Sequence, residues 1–160
     1  MESSIVLGIG NVLLSDDGAG VHAAQSLAQR LPDSSGVRVI DAGTLSFTLL
    51  GYLEDADRLI IFDAGDFGAE PGAVRCLECD ALDAFIADET RRRSVHEVGL
   101  ADLLGMARLQ QTLPPQRALF CIQAGDLGWG LEPSAPVRAG IQQAAEAALR
   151  LLQRWQCWQS

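Results

Sequence analysis

The sequence predicts an α/β fold, a three-layer sandwich with a twisted five-stranded, mostly parallel sheet and helices on both faces. Three observations support this prediction. Short apolar segments alternate with longer segments of helical spacing along the 160 residues. One connection is too short for a parallel crossover, which predicts one antiparallel edge strand. Hydrophobic residues make up 48% of the chain, which suits a single domain over residues 1–160.

The first strand and the turn after it form the N-terminal part of the predicted domain. Apolar residues at Ile5–Gly8 predict a buried strand, and glycines at positions 8 and 10 favour a tight turn. A helix then begins near Asp16 or Asp17, where an acidic residue suits a helix N-terminus. Asp16 is the better candidate for the helix cap, which leaves Asp17 available for a site.

The next two strands lie on either side of a short helix. Val37–Ile40 predicts the second strand, and Thr44 or Ser46 is suited to cap the helix that follows it. Arg58–Asp63 is a run of mostly apolar residues that predicts a third strand, buried on both faces. If the strand order begins 2-1-3, the first and third strands are neighbours. Ligands of open α/β sheets bind where the connections change direction, as they do at this point.

The fourth strand is predicted at Ala73–Cys79. Fewer than a dozen residues separate it from Asp63, whereas a parallel crossover needs about a dozen or more. We therefore expect this strand to be antiparallel and to lie at an edge of the sheet. A short helix over Asp80–Glu89 and a basic loop at residues 91–93 follow.

The last third of the chain predicts two helices with a strand between them. The first helix begins at Ser94 and runs to about Gln111, and Ala118–Gln123 predicts the fifth strand. A long final helix begins near residues 134–136. Its apolar face is predicted from helical spacing and comprises Val137, Ile141, Ala144, Ala148, Leu152 and Trp155.

The composition excludes several classes of partner. Twelve Lys and Arg against 21 Asp and Glu give a formal charge of −9, which is unsuited to nucleic acid or an anionic membrane. No apolar run approaches the roughly 20 residues that span a bilayer, and the N-terminus lacks a signal-peptide pattern. Cys76 and Cys79 form a single C-x-x-C on a predicted strand, where they face opposite sides, so we expect ordinary thiols. The sequence predicts a cytoplasmic monomer.

Three polar side chains follow elements that the predicted sheet brings together. Asp17 follows the first strand, Asp63 ends the third, and His96 lies at a loop-to-helix junction. Two carboxylates and an imidazole are suitable ligands for a divalent first-row metal, with positions left open for substrate or water. Simpler interpretations exist: Asp17 as a helix cap, Asp63 as a strand end that accepts backbone hydrogen bonds, and His96 as a structural histidine. His22 is interpreted as an exposed or packing residue of the first helix.

Other site patterns are incomplete. The turn at Gly8 and Gly10 lacks the third glycine of a dinucleotide site, because Leu13 stands there. The chain has no phosphate-binding G-x-x-x-x-G-K sequence and no G-x-S-x-G elbow. A nucleotide-binding domain and a serine hydrolase are therefore disfavoured.

Four segments, taken together and in order, resemble the [NiFe]-hydrogenase maturation endopeptidases. The similarity extends from about Ile5 to Trp155 and is clearest at Leu7–Gly20, Asp41–Thr44, Leu59–Ala64 and Ser94–Asp102. The family fold, a twisted five-stranded sheet with one antiparallel strand between helices, agrees with the prediction above. The segments 44–48 and 128–130 resemble most closely those of the enzymes that serve membrane-bound uptake hydrogenases.

The resemblance implies a specific reaction and site. Asp17, Asp63 and His96 would be both the metal ligands and the catalytic residues. The partner would be the hydrogenase large-subunit precursor, whose C-terminal peptide is removed once nickel is in place. The nickel would be supplied by this substrate, and no tightly bound resident metal is expected.

Three questions stay open at this point. Some family members have glutamate where this chain has Asp17, so a shorter side chain must reach the metal. Gly43 either lies along the substrate path or only forms a helix-entry turn. A non-catalytic, chaperone-like nickel-binding protein for hydrogenase assembly is the main alternative to a peptidase, because it would keep the same three ligands.

Overall fold

A computed structural model describes residues 2–43, 45, 47–88, 90 and 94–155 of the chain. Its strands are β1 (Ser4–Ile9), β2 (Val37–Gly43), β3 (Arg58–Gly65), β4 (Val74–Glu78) and β5 (Gln116–Gln123). Its α-helices are α1 (Ala19–Arg30), α2 (Leu50–Leu53), α3 (Cys79–Ala87), α4 (Val95–Leu109) and α5 (Ala135–Arg154). Within these residues, no helix is both long enough and apolar enough to cross a membrane.

The five strands form one sheet in the order β2-β1-β3-β5-β4. The first four of these strands are parallel to one another, and β4 pairs with β5 in the antiparallel direction at the edge. The predicted fold class, the order 2-1-3 and the antiparallel edge strand are thus confirmed. The carboxyl ends of β1 and β3 lie side by side, at the position where ligands bind in open α/β sheets.

The sheet separates two apolar cores, and alternate residues of each central strand enter opposite cores. Val6, Ile60 and Phe120 pack beneath α1 and α5, whereas Leu7 and Ile61 pack beneath the helices on the other face. This double burial is why the central strands are apolar without interruption. The predicted apolar face of α5 is buried at all six positions: Val137, Ile141, Ala144, Ala148, Leu152 and Trp155.

Two glycines allow α1 to approach the ends of β1 and β3. A Cβ atom on Gly20 would lie 2.3 Å from the carbonyl oxygen of Ile9 and 2.4 Å from that of Phe62. Gly10 has a φ of +140°, and a Cβ atom there would lie 2.1 Å from the carbonyl oxygen of Asp17. Side chains at these positions would push the residues between β1 and α1 away from the sheet. The glycines therefore set the position of Asp17.

The structure refines several predicted elements. A 3₁₀ turn, Ser15–Gly18, precedes α1, and the predicted second helix is a 3₁₀ turn at Phe47–Leu49 followed by the short α2. The proposed caps Thr44 and Ser46 lie outside the described residues, as do the arginines at 91–93. Cys76 and Cys79 are free thiols, as expected.

Candidate active site

The side chains of Asp17, Asp63 and His96 meet at the carboxyl edge of the sheet. The imidazole of His96 lies between the two carboxylates, with Nδ1 3.3 Å from Oδ1 of Asp63. Its Nε2 lies 3.5 Å from Oδ2 of Asp17. Residues from three distant parts of the sequence, predicted to form a site, are therefore in contact.

Asp63 is the most deeply buried member of this cluster. It lies inside β3, two residues before the end of the strand, and only 2% of its surface is exposed. Burial raises its pKa to about 6, although the hydrogen bond and charge of His96 act in the opposite direction. A carboxyl group with this pKa can exchange a proton close to neutral pH.

Asp17 is held by the turn that follows β1. The backbone N–H of Asn11 donates to Oδ2 of Asp17 at 3.0 Å, and the side chain is 20% exposed at the mouth of the site. Its side chain makes no helix-cap hydrogen bond at the start of α1. The interpretation of Asp17 as a helix cap is therefore wrong. The carboxylate faces His96 and remains accessible to a ligand.

His96 belongs to the first turn of α4 and is partly buried. Ser94 and Glu97 form a reciprocal capping box: the Glu97 N–H donates to Oγ of Ser94, and the Ser94 N–H donates to the Glu97 carboxylate. This fixes the first turn of α4 and therefore the backbone position of His96. The hydrogen bond with Asp63, together with the charges of Asp63 and Asp17, raises the pKa of His96 although burial opposes the shift.

Comparison with known proteins identifies the family. The sequence model of the HycI family, described as hydrogenase maturation protease, matches residues 21–151 of this chain. The chain belongs to this family. It is 37% identical over 152 residues to the hydrogenase expression/formation protein HupD of Rhizobium leguminosarum bv. viciae, covering 94% of this chain and 74% of that one. The family assignment makes the protein a peptidase of hydrogenase maturation, so it does not support the chaperone-like alternative.

Solved structures of hydrogenase maturation proteases have the same fold. The hydrogenase maturating endopeptidase HybD from E. coli superimposes with a TM-score of 0.85 at 32% identity, over 96% of this chain and 93% of that one. The [NiFe] hydrogenase maturation protease HybD from Thermococcus kodakarensis gives a TM-score of 0.79 at 30% identity, over 94% and 99% of the two chains. The predicted resemblance is thus confirmed across nearly the whole chain.

The donor atoms of this protease suit a divalent transition metal, because they are carboxylate oxygens and an imidazole nitrogen. In the part of the chain that is described, no group of three or more His, Cys, Asp and Glu side chains is arranged to hold an ion as it stands. The two ring nitrogens of His96 face different carboxylates. An ion can contact only one of these nitrogens. Either the imidazole must turn or one carboxylate must move before all three side chains bind it.

Asp16 has a different role from the predicted helix cap of α1, and that prediction is wrong. It is fully buried and accepts hydrogen bonds from the N–H groups of Gly125, Asp126 and Ser134, at 2.9, 2.7 and 2.6 Å, and from Oγ of Ser134 at 2.9 Å. Burial raises its pKa, but these hydrogen bonds outweigh that effect and lower it overall. Asp16 thus connects the turn after β1 to the segment between β5 and α5.

Two other features of the protease were missed or left open. The start of α4 at Ser94 was predicted, but its capping box was missed, although the pattern S-x-x-E is recognisable in the sequence and indicates a fixed first turn. Gly43 adopts a φ of +45°, and its carbonyl oxygen accepts the N–H of Gly10 at 3.1 Å. It therefore supports the turn that holds Asp17, while its place on a substrate path stays a prediction.

Proposed function

We propose that this protease removes the C-terminal peptide of the nickel-loaded large-subunit precursor of a [NiFe]-hydrogenase. In this proposal Asp17, Asp63 and His96 bind the nickel that the substrate already contains. The observation that supports it is the imidazole held between two carboxylates at the carboxyl edge of β1 and β3. The three side chains supply oxygen and nitrogen donors of the type that nickel accepts, and the ion remains part of the substrate.

The proposed chemistry is that of an aspartyl-type endopeptidase assisted by the metal of its substrate. Nickel acts as a Lewis acid that polarises the scissile carbonyl group. The oxygen of a water molecule forms a bond to the carbonyl carbon, while a carboxylate oxygen of the site that does not contact the ion accepts a proton from this water. The carbon–nitrogen bond then breaks, and the proton is passed to the leaving amine. Asp17 and His96 orient the ion and therefore the scissile bond.

Recognition of nickel also provides selectivity. A precursor without nickel presents the same peptide, but it cannot bridge to Asp17, Asp63 and His96. The binding energy that orients the scissile bond would then be missing. Cleavage would occur only after metal insertion, so no tightly bound metal of the protease is required.

Three further properties belong to the same proposal. The identity to HupD supports a precursor of an uptake-type hydrogenase. Cys76 and Cys79 are free thiols, which supports action in the reducing cytoplasm. All three site residues come from one chain, which supports a monomer as the active form. The charge of −9 is consistent with a protein substrate and with no nucleic-acid partner.

The test is cleavage of one precursor in two metal states. Nickel-loaded and nickel-free large-subunit precursors are incubated with the protease, and intact mass spectrometry detects the shortened subunit and the released peptide. We expect a single cut in the loaded precursor only. Equal cleavage of the nickel-free precursor would contradict nickel recognition, while an uncut loaded precursor would contradict the proposed substrate. The Asp17→Asn variant is the control for cleavage at this site.

A further inference from the structure

Large apolar side chains are exposed on two adjacent loops beside the candidate active site. Trp129 is 84% exposed, Leu131 69%, Leu127 56% and Leu13 48%. We call these four side chains the apolar rim. Tryptophan is enriched among the residues that contribute most to protein–protein binding. Contiguous exposed apolar surface on a soluble domain indicates an interaction site.

The apolar rim is built on an ordered backbone. The N–H of Ser15 donates to the carbonyl oxygen of Gly130 at 2.9 Å, and the N–H of Gly130 donates to that of Leu13 at 2.9 Å. Oγ of Ser15 donates to the carbonyl oxygen of Gly128 at 2.8 Å. The buried carboxylate of Asp16 holds both ends of the same loop. A surface already fixed in the free protein loses little conformational entropy when a partner binds.

The apolar rim is connected by hydrogen bonds to the segment that leads to Asp17. Leu13 and the hydrogen-bonded residues Ser15 and Asp16 lie in the short segment that ends at Asp17. A protein substrate that places its scissile bond at Asp17 can therefore contact this surface with a second segment. Binding of the substrate to the rim would orient it without contact to the reacting atoms.

The charge around the rim indicates the chemistry of its partner. The segments 10–18 and 124–134, which carry the rim, contain no lysine or arginine. They contain acidic residues, of which Asp126 lies at the rim itself, whereas Glu132 lies 3.8 Å from Arg138 of α5. Leu131 lines a cavity with Glu132, Arg30 and Arg138, so among the described residues unpaired negative charge borders the rim on the side of Asp126. This side of the apolar surface is complementary to an apolar segment with basic neighbours.

We propose that the apolar rim, with Trp129 at its centre, is a docking surface for the large-subunit precursor. It binds an apolar segment with basic neighbours that lies outside the scissile bond. The inference rests on the proposed function for the identity of the partner. It adds a contact that determines how tightly the precursor binds, separately from the nickel contacts of Asp17, Asp63 and His96.

The experiment compares two exposed apolar residues. Trp129→Ala removes the central side chain of the rim, and Leu109→Ala is the matched control, because Leu109 is 81% exposed at the end of α4. KM and kcat are measured with the nickel-loaded precursor. We expect Trp129→Ala to raise KM by about tenfold or more and to lower kcat/KM by the same factor. Leu109→Ala should leave KM unchanged, and Trp129→Phe should restore most of the loss.

Binding is measured separately in the cleavage-deficient Asp17→Asn background by calorimetry with the same precursor. Adding Trp129→Ala should weaken binding by about the factor seen in KM. An unchanged KM and affinity would overturn the docking surface, as would a fall in kcat alone or an equal loss for Leu109→Ala. If the wild-type protein binds the precursor but does not cut it, the proposed function fails, whereas the effect of Trp129→Ala on binding still decides the docking surface. Thermal melting checks that each variant is folded.

Discussion

Asp16 and Asp17 are adjacent in the sequence and have opposite roles in the structure. Asp16 is fully buried, and four hydrogen-bond donors of the segment after β5 surround its carboxylate. Asp17 is partly exposed, accepts the N–H of Asn11, and faces the imidazole of His96. The carboxylate of Asp16 uses its hydrogen-bonding capacity within the protein. The carboxylate of Asp17 can still accept a hydrogen bond from a ligand or bind a metal ion.

The difference shows how one turn serves both stability and chemistry. The 3₁₀ turn at Ser15–Gly18 directs two successive side chains to different places. One holds the loop that carries Trp129, and the other contributes to the cluster with Asp63 and His96. Substitution of Asp16 should therefore lower the free energy of unfolding, whereas substitution of Asp17 should lower the rate of cleavage.

The largest effect is expected for Asp17→Asn on cleavage. The amide is a much poorer metal ligand than the carboxylate and carries no charge, so we expect kcat/KM to fall by about 10³-fold or more. The side-chain oxygen can still accept the N–H of Asn11, so the free energy of unfolding should change by less than about 1 kcal/mol. Cleavage assays and urea unfolding measure the two quantities. A variant that unfolds, or one that cuts normally, would contradict the assignment of Asp17 to the site.

Asp16→Asn should show the reverse pattern. The amide oxygen can take the place of Oδ2 and still accept from Gly125 and Asp126, but the NH2 group then faces the N–H of Ser134, which is left unsatisfied. The charge that strengthens all of these hydrogen bonds is also lost. We expect the free energy of unfolding to fall by about 2–4 kcal/mol, while the folded fraction still cuts the precursor. Urea unfolding with cleavage normalised to the folded fraction tests this. Full stability with lost activity would mean that the roles of Asp16 and Asp17 are exchanged.

Low pH should weaken the hydrogen bonds that the Asp16 carboxylate accepts in the wild-type protein. The folded-state pKa of Asp16 lies below its ordinary value of 3.8, so its stabilising contribution is present above that value and is lost as the pH falls through the folded-state pKa. The difference in unfolding free energy between wild type and Asp16→Asn should therefore shrink below about pH 4. A difference that does not depend on pH would show that ionised Asp16 is not what holds the loop.

The cluster of Asp17, Asp63 and His96 should make both cleavage and stability depend on pH near neutrality. The pKa of His96 is raised above its ordinary value of 6.5, and protonated imidazole cannot bind a metal, so kcat/KM should increase with pH by up to about tenfold per unit below that pKa. Stability should change in the opposite direction. The raised pKa values of His96 and Asp63 stabilise the protein at low pH, and this contribution is lost as the pH rises through each folded-state value. A pH–rate profile from 5.5 to about 8.5 and parallel unfolding curves test both signs. A rate that falls with pH over this range would contradict metal binding by neutral His96.

The smallest effect is expected at the cap of α4. Ser94→Ala removes the hydroxyl that accepts the N–H of Glu97, and its cost should be about 0.5–2 kcal/mol of unfolding free energy. Because the cap fixes the turn that carries His96, kcat/KM should also fall several-fold. Ser94→Thr keeps the hydroxyl and is the control. Equal activity in the two variants would show that His96 is positioned by Asp63 and Asp17 alone.

Much of this fold is predictable because its strands are buried on both faces. A strand such as β3 must be apolar throughout, which marks it in the sequence, and a short connection forces β4 to be antiparallel. The cluster of Asp17, Asp63 and His96 was predicted from residue type and from the ends of adjacent strands. The order 2-1-3 brings the ends of β1 and β3 together, and with them Asp17 and Asp63. The contact with His96 depends in addition on how α4 packs against the sheet.

The partners of individual side chains could not be predicted in this way. Asp16 occupies a position typical of a helix cap, and nothing within its own segment indicates that it accepts hydrogen bonds from residues more than 100 positions away. The exposure of Trp129 is equally hidden, because an apolar residue in a loop is compatible with a core position. Both depend on how the segment after β5 folds back across the turn that follows β1.

The sequence by itself determined the layers, the strand directions and the residues available for chemistry, because these follow from periodicity, connection length and side-chain type. Tertiary structure alone decided which of two neighbouring carboxylates is buried and which faces the ligand. The physical reason is that a carboxylate must find hydrogen-bond donors if it leaves water. The donors of Asp16 belong to the segment before α5, and only the folded chain brings them together.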